Sequence, residues 1–454
     1  SRTKEPIISF DECKKISGRI LINYWRIVRH KENFRTYDLT NVANEILGAP
    51  FPTITDEALT SFANYAPHRF VHYYHSKVMT VVALVNKMTI IEQLTELSLV
   101  VGLDFCSTLS RGSQFHTESL LSRVSWRMGF LLNTPTRRDI ASQRAPMSLP
   151  LVMEPMSGYY KEPVMVLDFQ SLYPSCIIAY NLDFSTVVGR TELASSGGQL
   201  GFQSFYKLKR SKLERLVDEG KIINTPNDVL FVTKEVRTGV LPTLLSQILD
   251  LRSYVKSILK KETNEKMRRI LDARQMALKG FAACTYGYTA AHYSGRMPCV
   301  EIADSIVECS RHMLEFVIDH IEKDYPELTV LYGDTDSLFI RMPPAPKEQC
   351  FEFGQKLCDE ITAFFPSPVK IKLEKIFSGC FLVNKKRYCG WMYESVSQEK
   401  PTMLVKGLEM KRRDSCILVK NVMTDVIESI FRTGSIEKAR SVFDYHFNRI
   451  IYGR

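Results

Sequence analysis

The eleven cysteines are scattered along 454 residues and no CxxC pair occurs, which argues against a zinc ribbon or a disulfide framework and favours a reducing compartment. No stretch approaches the roughly 18 uncharged apolar residues of a membrane span. The opening SRTKEPIISFDECKK lacks the apolar core of a signal peptide. By elimination the chain is expected to be soluble and intracellular, with no membrane partner. Internal repeats and low-complexity tracts are also missing, so a solenoid is not expected. A hydrophobic content of 45% makes disorder an unlikely default, and the length allows two to four packed domains. The net charge of +10 favours polyanionic partners without requiring them. The chain opens in mid-pattern and stops in helix-like sequence at Ile450, Ile451 and Tyr452, so both ends are expected to be cuts.

Pattern and punctuation supply the organisation. Residues 1 to about 95 are expected to mix short strand-like runs with a helix over Val78 to Leu97, where apolar residues recur at three- and four-residue spacing. Proline-rich PTRRDIASQRAPMSLPLVMEP is expected to be an extended crossing segment. From Pro163, PVMVLDFQSLYPSCIIAYN predicts a buried strand ending at Asp168, then a turn and a helix entered near Pro174; polar ASSGGQ follows. Leu241 to Thr289 predicts two helices joined near Glu262 to Glu265 as a hairpin. LTVLYGDTDSLFIRM predicts strand, tight turn, strand, with Gly333 permitting the turn.

Chemistry concentrates in these segments. Asp334 and Asp336 stand two apart where a turn meets a strand, and Asp168 ends a second buried strand. If the strands are neighbours, three carboxylates meet at one sheet edge as a magnesium site. An isolated DxD is more often an ordinary polar turn, so the flanking sequence has to carry the argument. Arg252 and Lys256 lie one turn apart on a helix face, and Lys279 follows on the next helix. Three cations would suit a triphosphate; the plain alternative is a solvated basic face. NKKRYCGWMY and KGLEMKRRD combine cations with aromatics or further charge, as nucleic-acid contacts do, although each is also an ordinary surface composition.

Together these strings resemble the family B DNA polymerases, over nearly the whole chain. DFQSLYPS is similar to motif A, RQMALKGFAACTYGYT to motif B and YGDTDSLF to motif C, with KKRY and KGLEMKRRDSC following in family order. PLVMEP, SRGSQ, VRTGVLP, GRMPCVEIADSIV and Gln170 favour the zeta branch over the delta branch, whose motif A usually has Ser after Asp-Phe.

The resemblance implies an α+β right-hand polymerase with an antiparallel palm sheet, helical fingers and the start of a thumb. The C-terminal part of an RNase H-like exonuclease domain would come first. The implied divisions are 1–95 exonuclease-like and inactive, 96–162 connecting, 163–239 palm with an insertion, 240–290 fingers, 291–400 palm and 401–454 truncated thumb. Asp168, Asp334 and Asp336 would be catalytic, with two Mg²⁺ ions on Asp168, the Phe169 carbonyl and Asp336, and with direct ligation less expected of Asp334. Arg252, Lys256, Lys279, Ser171, Leu172, Tyr173 and Tyr286 would bind dNTP, Tyr173 as the steric gate against a ribose 2′-hydroxyl. Lys385, Lys386, Arg387, Tyr388, Lys406, Lys411, Arg412 and Arg413 would follow primer-template DNA through sequence-independent contacts. The family also implies nuclear localisation, a HORMA-type accessory subunit, polymerase delta accessory subunits and a C-terminal iron-sulfur module; their binding regions and the cluster are not in this sequence.

Two departures qualify the implied activity. Ala283 stands where motif B normally has Asn, four residues after Lys279, so weaker nucleotide binding is expected. Lys77 stands four residues after Tyr73, where the exonuclease motif has a metal-binding Asp, so no 3′ to 5′ exonuclease activity is expected. The implied function is template-directed synthesis of translesion type, without proofreading. Its rivals are a polymerase-derived DNA-binding scaffold, supported only by Ala283, and a replicative delta-like enzyme.

Overall fold

The computed structural model describes residues 18–191, 199–201, 203–204, 209–291, 295–412 and 414–453; Arg413 and most of ASSGGQ lie outside them. Seven helices come first: α1 (Tyr24–Lys31), α2 (Leu39–Leu47), α3 (Asp56–Tyr65), α4 (Pro67–Lys87), α5 (Ile90–Val101), α6 (Phe105–Ser110) and α7 (Ser113–Arg127). Side chains of Asn23, Asp38, Thr55 and Asp104 accept from the first-turn amides of α1, α2, α3 and α6. From Gly18 to Val78 the expected strand-like runs are helical and connecting segments, and those expected in residues 1–17 lie outside the described residues. Apolar periodicity at Val78 to Leu97 spans two helices, because Thr89 takes a left-handed φ of 50° and interrupts it.

The crossing segment contains one short helix, α8 (Arg137–Ala141), closed by a capping box between Thr136 and Asp139, before it becomes extended. Next come β1 (Gly158–Tyr160), β2 (Val164–Phe169), α9 (Leu172–Ala179), β3 (Val187–Arg190), β4 (Gln199–Leu200), β5 (Gln203–Ser204), α10 (Arg210–Asp218), β6 (Ile222–Asn224) and β7 (Val229–Val232). The predicted helical pair is α11 (Val240–Lys261) and α12 (Glu265–Ala290). Their connection is pinned by Glu262, whose carboxylate accepts from the Thr263 and Asn264 amides, and by Asn264, which caps Met267. The chain continues through α13 (Val300–Asp324), β8 (Thr329–Asp334), β9 (Ser337–Arg341), α14 (Lys347–Ala363), β10 (Ile371–Asn384), β11 (Arg387–Tyr393), β12 (Thr402–Lys406), α15 (Ile417–Thr433) and α16 (Ile436–Ile451). Among these elements no single helix is long and apolar enough to cross a membrane.

Two compact units result: residues through Leu132 together with Leu244–Gly287, and Asn133–Thr243 together with Tyr288–Arg454. The first is helical among its described residues. Its buried Ile27, Ile90, Leu94 and Leu109 form one core cluster, and Val28, Val42 and Leu84 another.

The second unit is built on an antiparallel sheet of order β12-β11-β10-β2-β9-β8. β2 can occupy its interior because VMVLDF is apolar on both faces, with only Asp168 half-exposed. The sheet curls. Amides of Met153 and Met156 donate to the Gly333 and Leu331 carbonyls along the β8 edge, and β1 then pairs with β10 at Cys380 to Leu382. α13 packs on β8, and α14 on β10 and β2. Val164, Val166, Leu331, Tyr332, Phe339 and Phe377 form a core cluster of this sheet. A second antiparallel sheet, β3-β7-β6, is tied to the start of α11 by buried Asn181 and Asp183, which bond the Gly239 and Leu241 amides at 2.9 and 2.8 Å.

Candidate active site

The carboxylate motifs converge because β2 pairs directly with β9. Asp168 stands opposite Ser337 in register, and Ser337 stands opposite Asp334 across the β8–β9 hairpin. Asp336 sits in the two-residue turn, where its carbonyl accepts from the Phe169 amide at 2.9 Å and its amide donates to the Asp334 carbonyl at 2.7 Å. Thr335 adopts the turn's left-handed conformation at φ 62°. Gly333, expected to permit the turn, takes no positive φ. Its missing side chain makes room for Met153, whose sulfur would lie 2.9 Å from a Cβ there.

Burial and the neighbouring Asp336 and Glu374 carboxylates push the Asp168 carboxyl up to about 7, against the pull of Lys372 and Lys375. Asp336 is raised too, first by burial and then by Asp334 and Glu374. No described side chain forms an ion pair with either. A crowded pair of carboxyls that resists ionisation on its own is a fitting place for a divalent cation. Asp334 is differently engaged: Lys386 Nζ reaches its two oxygens at 2.8 and 3.0 Å, and the Tyr332 hydroxyl donates to it at 3.3 Å. Among the described residues no three acidic, His or Cys side chains form a ready-made metal cage. Mg²⁺ needs none, since it is usually held by one or two carboxylates, waters and substrate phosphates.

Tyr173 is half-buried in the first turn of α9, entered through Ser171 at φ 51°, with Leu172 buried behind it. The β10–β11 turn presents Lys385 and Lys386, and Tyr388 stands opposite Lys406 on β12, so the KKRY and KGLEMKRRD strings adjoin. Gly407 is required at the junction: its φ is +67° and a Cβ would lie 2.3 Å from the Lys386 carbonyl oxygen. Several of the cations expected to meet DNA are held by acids here. Lys385 pairs with Glu154 at 3.2 Å, Arg387 with Glu409 at 2.6 Å and Arg412 with Asp414 at 2.9 Å. Lys406 and Lys411 are exposed. Tyr388 packs edge-on against Phe339 at 5.0 Å, and burial raises its hydroxyl pKa, so its ring supports the sheet.

The expected triphosphate ligands belong to the other unit. Arg252 is half-buried and Lys256 exposed on α11, while Lys279 and Ala283 are both exposed one turn apart on α12, followed by half-buried Tyr286. In the same unit Tyr73 packs on Phe51 at 5.4 Å, and the Lys77 ammonium lies 5.9 Å from the Tyr74 ring centre. Sequence reasoning missed Lys372, Glu374, Glu409 and the Tyr332 hydroxyl. The alternation in KIKLEK could have marked an exposed charged edge, but not which strand it would face.

The model of DNA polymerase family B matches residues 103–451, and the chain belongs to that family. Among characterised relatives it is similar to the DNA polymerase zeta catalytic subunits of Arabidopsis thaliana and Drosophila melanogaster. Identities are 41% and 38%, over 97% and 99% of this chain. The DNA polymerase delta catalytic subunit of Candida albicans is 30% identical over 94%. The chain spans 23%, 21% and 40% of the lengths of these three proteins.

Proposed function

We propose that the chain carries the nucleotidyl-transfer site of a template-directed DNA polymerase of the zeta type, acting in synthesis past damaged or mismatched primer ends. The observation that carries this reading is the convergence of Asp168 and Asp336 through the Phe169 amide bond, inside a family B sheet. Asp168, Asp336 and the Phe169 carbonyl would hold two Mg²⁺ ions. When bound, such ions activate a primer 3′-hydroxyl and stabilise charge on the departing pyrophosphate.

The chain's own groups would do the rest. Lys386 keeps Asp334 oriented, Tyr173 closes the space beside the sugar of a dNTP, and Arg252, Lys256 and Lys279 neutralise its triphosphate. Lys406 and Lys411 would meet the duplex backbone, with Lys385, Arg387 and Arg412 exchanging their acidic partners for phosphates. The zeta reading over the delta alternative is supported by higher identity to the zeta relatives. Lys77 supports the absence of proofreading: single-stranded 3′-labelled DNA should survive incubation with the chain and Mg²⁺, and metal-dependent shortening from its 3′ end would refute that part of the reading. Primer extension by wild type and Asp336→Asn tests the main claim. The variant should lose roughly 10²- to 10⁴-fold in rate.

A further inference from the structure

A row of residues crosses four strands on one face of the sheet. Lys372 of β10 stands opposite Asp168 of β2, Asp168 opposite Ser337 of β9, and Ser337 opposite Asp334 of β8. Directly opposed residues in antiparallel strands share a face, with Cα atoms about 4.5–5.5 Å apart. The row therefore has a cation at one end, Asp168 next to it and Asp334 at the far end, with Asp336 in the adjoining turn.

Two neighbouring lysines are occupied. Lys386 is bonded to Asp334 at 2.8 Å, and Lys375 pairs with Glu374 at 2.9 Å, at the irregularity where β10 skips a residue against β2. The Lys372 side chain is exposed and makes no hydrogen bond or ion pair among the described residues, although it is near enough to act electrostatically on Asp168. The Lys372 ammonium therefore stands on the face that carries Asp168, with no described acid engaging it. It remains available to an anion that approaches the same edge.

We infer that Lys372 binds phosphate of the incoming nucleotide, as a cation contributed by the palm strand β10. The inference rests on the polymerase reading, because only a reaction bringing a polyphosphate to Asp168 gives Lys372 its partner. Before a metal binds, the acids at this sheet edge would repel a polyphosphate. A lysine at the end of the row offsets that repulsion without competing for the positions a metal would use.

The test is single-nucleotide primer extension with the chain, saturating Mg²⁺ and primer-template, titrating dNTP for wild type, Lys372→Ala and Lys372→Arg. Lys372→Ala should raise KM for dNTP about tenfold with a smaller change in kcat, and Lys372→Arg should recover most of the loss. Primer-template Kd, read by fluorescence anisotropy, should change less than about twofold. An unchanged KM overturns the inference while leaving the polymerase reading intact. So does an equal loss of DNA affinity, which would make the phosphate the primer's, or a change confined to Mg²⁺ dependence, which would make Lys372 a counter-charge only. Failure of the wild type itself to extend primers overturns the polymerase reading.

Discussion

Asp168 combines two demands that conflict in the absence of metal. On the polymerase reading it has to be an anion to hold a cation, yet burial and its acidic neighbours lift its carboxyl to about 7. An ordinary aspartate titrates near 3.9. Between roughly pH 4 and pH 7 the folded chain therefore holds more protons than the unfolded chain, and this group's contribution to stability falls as pH rises. In metal-free buffer, the decline in Tm from pH 5 to pH 8 should be shallower for Asp168→Asn than for wild type; parallel slopes would contradict the burial argument. For the same reason, the Mg²⁺ concentration giving half-maximal activity should increase as pH falls from 8 to 6, because protons compete for the ligand. At Ala283 the expectation concerns affinity. Ala283→Asn restores a side-chain donor one turn beyond Lys279 and should lower KM for dNTP about three- to tenfold, read by steady-state extension; no change would mean that this position does not face the triphosphate.

At the scale of elements, the sheet's pairing order determines what the site contains. β2 and the β8–β9 hairpin were legible, because a run of apolar residues ending in Asp168 and a strand-turn-strand pattern around Asp334 and Asp336 are local signals. β10 was not. Its register against β2 and β11 is fixed by contacts far apart in sequence, so nothing in KIKLEK discloses that Lys372 faces Asp168, or in NKKRY that Lys386 reaches back to Asp334. The helical region before Val101 was misjudged in part for a related reason: tertiary packing around Ile27 and Leu84 overrides short β-like compositions. The junction of β10, β11 and β12 offers a direct check on this geometry. Gly407→Ala forces a left-handed residue and a 2.3 Å clash onto the Lys386 carbonyl, so it should lower stability by about 2 kcal/mol or more in urea unfolding. A neutral result would mean that the β10–β11 turn does not lie where Lys386 can brace Asp334.

For the molecule as a whole, the two compact units divide the labour that the polymerase reading requires. The acids and the candidate DNA-facing cations are in one, and the candidate triphosphate cations are in the other. Activity itself is the most direct probe of the polymerase reading. The decisive measurement is template-dependent extension of a labelled primer by this chain with Mg²⁺ and all four dNTPs, beside an Asp336→Asn control of matched thermal stability. Extension directed by the template and lost in the control is the predicted result. A folded wild-type chain that adds no nucleotide, or a control that extends as fast as wild type, would contradict it.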